Sequence, residues 1–309
     1  MHDHIRRSVT LPPPSPERAY VIQYDGGPAQ GVLILAYADL GTETLILVHG
    51  LASNQHIWDL LAPLLAAKCQ LYTLDQRGHG SSEKPPTGYD FDTITKDLHL
   101  FIQNLEIRNP IIIGHSWGGN VALNYAAQYP NILNGICFID GGLIEISKIP
   151  GNSLHQALIS MAPPNFSNYT KQDFLHRIQQ RDWGEQDQTS RAANMANIVL
   201  SNFDLHPNGH ITPKFNRSNH LQVIEAFWKH KPSQLFERIR CPVLNLPARM
   251  PNNDPERQAL RQEMVNLAEA SLETIKTIWL ENSIHDVPIQ KPELISEIIV
   301  TEIGNGFFS

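Results

Sequence analysis

The sequence is poor in the features that mark several common classes of protein. Its three cysteines are widely spaced and odd in number, so they form neither a disulfide framework nor a CxxC motif. No stretch approaches the ~20 consecutive apolar residues that a membrane-spanning helix needs. The fourteen histidines are scattered, without a metal-ligand spacing such as His-Glu-x-x-His. These absences predict a protein without disulfides, a membrane span, a bound metal or another cofactor.

Positive charge is also in short supply. The formal net charge is −7, which gives the chain no electrostatic reason to bind nucleic acid or an anionic membrane surface. The N-terminus, MHDHIRRSVTLPPPSPERAY, is polar and rich in proline, with no apolar segment fit for a signal peptide. Apolar residues make up 41% of the chain and charged residues 18%, a balance typical of a globular protein with a sizeable core. We therefore expect a soluble, cytoplasmic protein with no nucleic-acid partner.

Short apolar runs alternate with helical patterns through the first half of the chain. The runs predicted as strands are VLILAYADLG, TLILVHG, CQLYTLD, PIIIGHS and GICFID. Amphipathic segments such as HIWDLLAPLLAAK and FDTITKDLHLFIQNLEI lie between them and predict helices. Strands that alternate with helices indicate a mostly parallel sheet covered on both faces. The sequence thus predicts an α/β fold with a doubly wound sheet.

The alternation stops after Gly142 and resumes near Cys241. Between these points the sequence is mainly helical or polar, with APPNFSNY and FDLHPNGHITPKF as predicted loops. CPVLNLPA then restores a buried strand, PERQALRQEMVNLAEASLE predicts a helix, and TIKTIWL predicts the last strand. We expect one α/β core, formed by residues 1–142 and 236–309, that is interrupted after its sixth strand by a helical insertion over residues 143–235.

The segment NPIIIGHSWGGNVALNYAAQYP places one serine between a predicted strand and a predicted helix. Its centre, GHSWG, fits the pattern G-x-S-x-G. In such a sharp turn the middle residue takes strained backbone angles and its side chain rises above the sheet, while the flanking glycines avoid steric clashes. The following helix offers free N–H groups and the positive end of its dipole to a developing oxyanion. We predict that Ser116 is a nucleophile; the alternative is a glycine-rich turn with a capping serine.

Three further segments, together with this turn, resemble the α/β-hydrolase family. LILVHGLASNQHIWDLLAPLLA resembles the family's oxyanion loop after the third strand, and YTLDQRGHGSSEKP resembles its Asp-x-Arg-Gly-x-Gly-x-Ser turn after the fourth. ENSIHDVPIQKPELI resembles the segment after the eighth strand that carries the family's catalytic histidine. The resemblance covers Leu33 to Asp140 and Cys241 to Val300. It implies the α/β-hydrolase fold, with the insertion as a helical cap.

A serine hydroxyl is a poor nucleophile at neutral pH, so a base must take its proton. His285 lies in a polar loop after the predicted last strand, from which its ring can reach towards Ser116. Other histidines fall in the N-terminal tail, the insertion or tight turns, and a solvated loop histidine is the alternative for His285. By analogy with the family, the backbone N–H groups of Leu51 and Trp117 would hold the oxyanion.

Two aspartates compete for the role of the acid that orients the histidine. In the commonest family pattern the acid lies in a Gly-x-x-Asp turn after the seventh strand. That place here reads CPVLNLPARMPNNDPER, where Asp254 is positioned to cap a helix. Asp140 ends the sixth strand, at the sheet edge where the catalytic loops of α/β folds gather, and some relatives carry their acid there. We predict Asp140, with Asp254 as the alternative.

These residues predict a cofactor-free serine hydrolase that acts on a carboxylic ester, a lactone or a related acyl bond. The partner is expected to be a small apolar acyl substrate, contacted by Trp58 beside the oxyanion loop and Trp183 in the insertion. The same catalytic residues serve carbon–carbon bond hydrolases, cofactor-free haloperoxidases and acyltransferases. A ligand-binding receptor with vestigial activity is the alternative from another class. Serine at the turn argues against haloalkane dehalogenases and epoxide hydrolases, which resemble this pattern but carry aspartate there.

Overall fold

An eight-stranded sheet forms the centre of the protein. The computed structural model describes residues 19–24, 32–37, 43–180, 195–250 and 254–309. The strands in chain order are β1 (Ala19–Tyr24), β2 (Val32–Tyr37), β3 (Thr44–Val48), β4 (Gln70–Leu74), β5 (Ile111–His115), β6 (Gly135–Ile139), β7 (Phe203–Leu205), β8 (Ile211–Pro213), β9 (Val243–Leu246), β10 (Ala248–Arg249), β11 (Ile275–Thr277) and β12 (Leu280–Glu281). The order in the large sheet is β1-β2-β4-β3-β5-β6-β9-β11. β2 is antiparallel to both of its neighbours, and the strands from β4 to β11 pair in parallel.

The central strands are apolar on both faces because each face packs against a separate core. In β3, Leu45 and Leu47 lie in one cluster of buried side chains, whereas Ile46 and Val48 lie in the other. This alternation follows from the period of two along a strand, which sends successive side chains to opposite faces. Burial on both faces is what turns these strands into continuous apolar runs in the sequence.

Helices cover the two faces of the sheet. In chain order they are α1 (Ala62–Ala66), α2 (Phe91–Asn104), α3 (Trp117–Gln128), α4 (Leu154–Ser160), α5 (Lys171–Gln179), α6 (described over 195–200), α7 (Arg217–Lys229), α8 (Pro255–Ser271), α9 (Val287–Gln290) and α10 (Pro292–Gly304). The buried side chains of α2, α3 and α8 join one core cluster, and those of α1 and α10 join the other. The predicted doubly wound α/β sheet is therefore confirmed.

The segment between β6 and β9, called the insertion from here on, lies outside the large sheet. It holds α4 to α7 and a two-stranded hairpin of β7 and β8. The hairpin replaces the predicted loop FDLHPNGHITPKF. Gly209 takes φ +83° in the connecting turn, and His206 N–H donates to His210 O across it. Because its strands have only three residues each, the hairpin has no alternation of apolar and polar residues long enough to predict a strand. The division of the chain at residues 142 and 235 stays a prediction.

The segment HIWDLLAPLLAAK is not the single helix that its amphipathic pattern predicted. A 3₁₀ turn over Gln55–Trp58 comes first, and α1 begins only at Ala62. Asn54 caps the 3₁₀ turn by accepting from the His56 N–H, and Pro63 stands in the first turn of α1, where its missing N–H costs no hydrogen bond. The cap at Asn54 and the proline at position 63 each favour the start of a helix, so the segment forms two short helices instead of one.

Within the described ranges, no helix combines the length and the apolar character that crossing a membrane requires.

Candidate active site

β5 ends in a strained turn that lifts one serine out of the sheet. Ser116 has φ 54° and ψ −125°, and α3 begins at the next residue. A Cβ atom on Gly114 would lie 2.3 Å from the Gly118 carbonyl oxygen, and one on Gly118 would lie 2.2 Å from the Val48 carbonyl oxygen. No side chain fits either position, so the two glycines of the pattern follow from the geometry of the turn.

The structure brings Ser116, His285 and Asp140 together in one hydrogen-bonded chain. His285 lies in the loop between β12 and α9, and Asp140 follows directly after β6. The Ser116 hydroxyl lies 2.9 Å from His285 Nε2. On the other side of the ring, His285 Nδ1 lies 2.5 Å from Asp140 Oδ2. With its Nδ1 proton directed at the carboxylate, the imidazole presents a free acceptor at Nε2 to the serine proton.

Asp140 is buried but fully supplied with donors. Its side chain is 3% exposed, and its Oδ1 accepts from the Ala248 N–H at 3.0 Å and from Arg261 Nη1 at 2.7 Å. Burial alone would raise the pKa of this carboxyl, but the hydrogen bond and charge of His285, with Arg261 and the Ala248 N–H, hold it below its usual value. Asp140 therefore remains a carboxylate.

Opposing effects set the protonation of His285. Burial lowers its pKa, whereas the hydrogen bond and the charge of Asp140, with the charge of Asp286, raise it, and the net pKa lies above the ordinary 6.5. The side chain is nevertheless half exposed, so its Nε2 face is open to a substrate. This arrangement suits a group that must take up a proton and release it again.

His115 holds the histidine loop in place, a role that its sequence position did not indicate. Its Nε2–H donates to the backbone carbonyl oxygen of His285 at 2.8 Å. Burial and the nearby His285 lower the pKa of His115 to about 4, so it stays neutral and donates only through Nε2. The contact joins residues 170 positions apart, so a pattern of local spacing gives no sign of it.

The loop that contains Leu51 runs directly against Ser116. A Cβ on Gly50 would lie 3.0 Å from the Ser116 Cβ, so the loop can approach this closely only with glycine there. In the described part of the chain, the N–H groups of Leu51 and Trp117 meet no protein acceptor. Two free backbone donors near the serine of such a turn could hold an oxyanion.

A buried histidine ties this loop to the insertion. His79 Nε2 accepts from the Ala52 N–H at 3.2 Å, and His79 Nδ1–H donates to the Arg77 carbonyl oxygen. Its ring stacks on Trp117 at 5.8 Å and on Phe215 of the insertion at 3.8 Å. We call Phe215, His79 and Trp117 the aromatic stack. It contacts both segments that carry the free donors.

The serine opens into a cavity of about 540 Å³ between the sheet edge and the insertion. Apolar side chains dominate its lining: Ile144, Ile146, Ile149, Pro150, Met161, Phe227, Leu260 and Met264. Arg257 and Arg261 of α8 also line it, beside Asp140 and His285. The cavity therefore suits a small molecule with an apolar body.

Asp254 lies away from this chain of groups. Its carboxylate accepts from the Arg257 N–H and caps α8. It lines a separate cavity of about 210 Å³ that does not include Ser116 or His285. Of the two aspartates left open by the sequence, only Asp140 contacts the histidine.

The two tryptophans expected to contact substrate have different outcomes. Trp183 lies outside the described residues. Trp58 is 0% exposed and is not among the residues that line the cavity. Its ring instead meets His115 edge to face, with centroids 6.3 Å apart. Trp58 thus packs in the core against His115. The expectation that it contacts substrate is wrong in this structure.

We expect the Trp58→Ala variant to lose stability rather than substrate binding. Removing a fully buried indole leaves a cavity in the core and costs about 3–5 kcal/mol of unfolding free energy. Urea denaturation of the two proteins measures the difference. A loss below about 1 kcal/mol combined with a raised KM would instead place Trp58 in contact with substrate.

Groups of three or more potential metal ligands are absent from the residues described. What the site offers is a serine, an imidazole, a buried carboxylate and two backbone donors. Ser116, His285, Asp140 and Trp117 line one cavity, and Leu51 follows the glycine that packs against Ser116. Together they can deliver a nucleophile to a carbonyl carbon and hold the charge that forms on its oxygen.

Known proteins resemble this chain in sequence. A family model described as alpha/beta hydrolase fold matches residues 43–248. A 2-(acetamidomethylene)succinate hydrolase of Mesorhizobium japonicum is 33% identical over 111 residues, which is 36% of this chain and 40% of that protein. A Bacillus subtilis hydrolase named YugF is 25% identical over 269 residues, which is 85% of this chain and 90% of that protein. Three of the matches, among them the Mesorhizobium protein, are covered over only 34% to 40% of their own length.

One solved structure illustrates the likeness in fold. The crystal structure of E-2-(acetamidomethylene)succinate hydrolase aligns with a TM-score of 0.71 over 93% of this chain and 100% of that one, at 19% sequence identity. At such identity the likeness shows the shared fold alone. The chemistry has to be argued from the site itself.

Proposed function

Because the chain belongs to the α/β-hydrolase family and is an enzyme of that family, we propose that it is a serine hydrolase. It cleaves a carboxylic ester, a lactone or a related acyl bond through an acyl-enzyme on Ser116. The observation that carries this proposal is the unbroken hydrogen-bonded chain from Ser116 through His285 to Asp140, which opens into an apolar cavity.

The proposed reaction has two halves. Ser116 Oγ attacks the carbonyl carbon while His285 Nε2 takes the hydroxyl proton, and the N–H groups of Leu51 and Trp117 hold the oxyanion. Collapse of the tetrahedral intermediate expels the leaving group, which receives the proton from His285. Water then attacks the acyl-enzyme, gives its proton to the same nitrogen, and frees the acid and Ser116. Asp140 stabilises the imidazolium in both halves.

The cavity supports a small apolar acyl substrate. Its volume of about 540 Å³ lies within the roughly 300–1,000 Å³ range of small-molecule sites. Most of the apolar lining comes from the insertion, so the insertion is proposed to act as the cap that selects the acyl group. Among named relatives, one hydrolyses 2-(acetamidomethylene)succinate, and that substrate belongs in the first panel of compounds to test.

A panel of p-nitrophenyl esters of increasing acyl chain length, with a lactone and a β-diketone beside them, tests the proposal. We expect turnover of esters or lactones, and labelling by a fluorophosphonate at the peptide that contains Ser116. Exclusive cleavage of the β-diketone would indicate a carbon–carbon bond hydrolase. Ligand binding without turnover or labelling would point to a receptor and would refute the serine-hydrolase proposal.

We expect activity to fall on the acid side of a midpoint above pH 6.5. His285 must be neutral to accept the serine proton, so kcat/KM decreases as pH drops through its pKa. That pKa is raised above the ordinary 6.5, because burial and the charge of Arg261, which lower it, are outweighed by the hydrogen bond and charge of Asp140 together with the charge of Asp286. A profile of kcat/KM from about pH 5 to 9 on one ester measures the midpoint.

The rate of fluorophosphonate labelling of Ser116 should follow the same curve, because it needs the same deprotonation. Labelling that stays constant from about pH 5 to 8 would contradict His285 as the base. Circular dichroism at each pH separates loss of activity from loss of fold.

A further inference from the structure

Arg261 is the only side chain of α8 that bonds Asp140 in the described part of the chain. Its Nη1 lies 2.7 Å from Asp140 Oδ1 and 2.6 Å from the carbonyl oxygen of Ala248. The N–H of the same Ala248 donates to Oδ1 at 3.0 Å. One guanidinium therefore joins the helix, β10 and the buried carboxylate.

This arrangement divides the two oxygens of the carboxylate between different partners. Oδ1 faces two donors, and Oδ2 is left for His285. Because the carboxylate cannot rotate without breaking the bonds at Oδ1, Oδ2 is held towards the imidazole. A charge-assisted bond from arginine is both stronger and more directional than a neutral one.

We propose that Arg261 is a positioning residue that fixes Asp140 against His285. Its positive charge partly offsets the effect of the negative Asp140 carboxylate on the imidazole. Its contribution to turnover rests on the serine-hydrolase function proposed above. Its electrostatic effect on His285 is independent of that function, because the effect follows from the contacts alone.

The charged and titratable groups around His285 come from several elements. Asp140 after β6 and the adjacent Asp286 raise the pKa of the imidazole, and Arg261 of α8 lowers it. His115 at the end of β5 packs against the ring at 4.9 Å but is neutral above about pH 4. Removing the charge of Arg261 therefore leaves burial as the main effect that opposes the two carboxylates, and the pKa of His285 rises.

A purely structural role for Arg261 makes a different prediction. The bond to Ala248 O alone would hold α8 against β10, and its loss would lower stability without changing the protonation of His285. The deciding variant is Arg261→Gln, which removes the charge and leaves a shorter, polar side chain on α8. Arg261→Lys keeps the charge, and Arg261→Met is a second neutral variant if the glutamine variant does not fold.

The matched control is Arg257→Gln. Arg257 lies one helical turn from Arg261 and lines the same cavity. The hydrogen bonds that Asp140 accepts come from Ala248, Arg261 and His285, so Arg257 is not one of its donors. This variant removes one positive charge from the same helix face and leaves Asp140 in place.

The first readout is the titration of His285 itself, followed by NMR on protein with ¹³C-labelled histidine and assigned with a His285→Gln variant. We expect the pKa of His285 to rise by roughly half a unit to one unit in Arg261→Gln. It should stay at the wild-type value in Arg261→Lys and in Arg257→Gln. An unchanged or lower value in both neutral variants overturns the proposal, as does an equal rise in Arg257→Gln.

The second readout is turnover of one ester. In Arg261→Gln we expect kcat to fall about tenfold or more while KM changes little, and the acid limb of kcat/KM to move to higher pH by the shift seen in NMR. A higher KM at unchanged kcat would make Arg261 a substrate contact and overturn the positioning role. If wild-type protein turns over neither an ester nor a lactone and is not labelled by the fluorophosphonate, the serine-hydrolase proposal fails, whereas the NMR titration still decides whether Arg261 acts on His285.

Discussion

Ester hydrolysis is expected to fall by about 10⁴-fold or more in kcat when Ser116 is replaced by alanine. In the proposed reaction the hydroxyl oxygen of Ser116 forms the acyl-enzyme, and without it only binding and the two backbone donors remain to assist attack by water. Turnover of the best ester from the panel measures the loss. Mass spectrometry after treatment with a fluorophosphonate should show no adduct on the variant.

The fold should survive this change. The Ser116 backbone bonds, from its N–H to Ile139 O and from Gly119 N–H to its own carbonyl, do not involve the side chain. Alanine also takes the same strained backbone angles at a similar cost, since both residues carry a Cβ. The matched control is Ser167→Ala, an exposed serine of the insertion whose variant should keep wild-type turnover. Near-normal turnover by Ser116→Ala would refute the serine-hydrolase proposal.

Asp140→Asn should be almost as damaging, with a loss in kcat of up to about 10⁴-fold. The physical reason lies in the donors around Oδ1. Because Arg261 and the Ala248 N–H both donate there, the asparagine must place its carbonyl oxygen at that position. Its NH₂ group then faces His285 Nδ1. The imidazole becomes the acceptor at Nδ1 and carries its proton on Nε2, where it can no longer accept one from Ser116.

Asp254→Asn is the comparison that decides the identity of the acid. Asp254 caps α8 through the Arg257 N–H, and asparagine caps helices nearly as well as aspartate, so we expect a loss in unfolding free energy of no more than about 1 kcal/mol. Both variants are assayed on one ester, with their melting curves recorded. An inactive Asp254→Asn beside an active Asp140→Asn would place the acid after β9 and reverse the assignment.

Most strands and helices of the α/β core could be predicted because buried parallel strands and the strained turn leave local patterns. The isoleucines of PIIIGHS follow from the packing of β5 on both faces. Gly114 and the nearby Gly118 are required because a Cβ atom would lie 2.3 Å or 2.2 Å from a backbone oxygen. The sequence predicts Asp140 as the acid because the ends of neighbouring parallel strands meet at one edge of the sheet. These features depend on short segments of sequence.

Other features depend on contacts between distant segments and left no local sign. The bond between Arg261 and Asp140 joins residues 121 positions apart, and an arginine on an amphipathic helix is ordinarily a solvated surface residue. Trp58 illustrates the opposite error. Its place beside the oxyanion loop suggested contact with substrate, yet the side chain turns into the core beneath His115. In both cases the position of the residue in the fold was predictable, but the direction in which its side chain points was not.

The aromatic stack limits how freely this enzyme can be redesigned. An engineer who replaces the insertion to obtain a different acyl preference also replaces Phe215, and with it the ring that packs on His79 at 3.8 Å. His79 in turn accepts from Ala52, next to one proposed oxyanion donor, and stacks on Trp117, the other. The proposed function assigns selection of the acyl group to the insertion and the oxyanion donors to these two segments. We therefore expect a grafted insertion that lacks an aromatic residue at this position to disturb both donors.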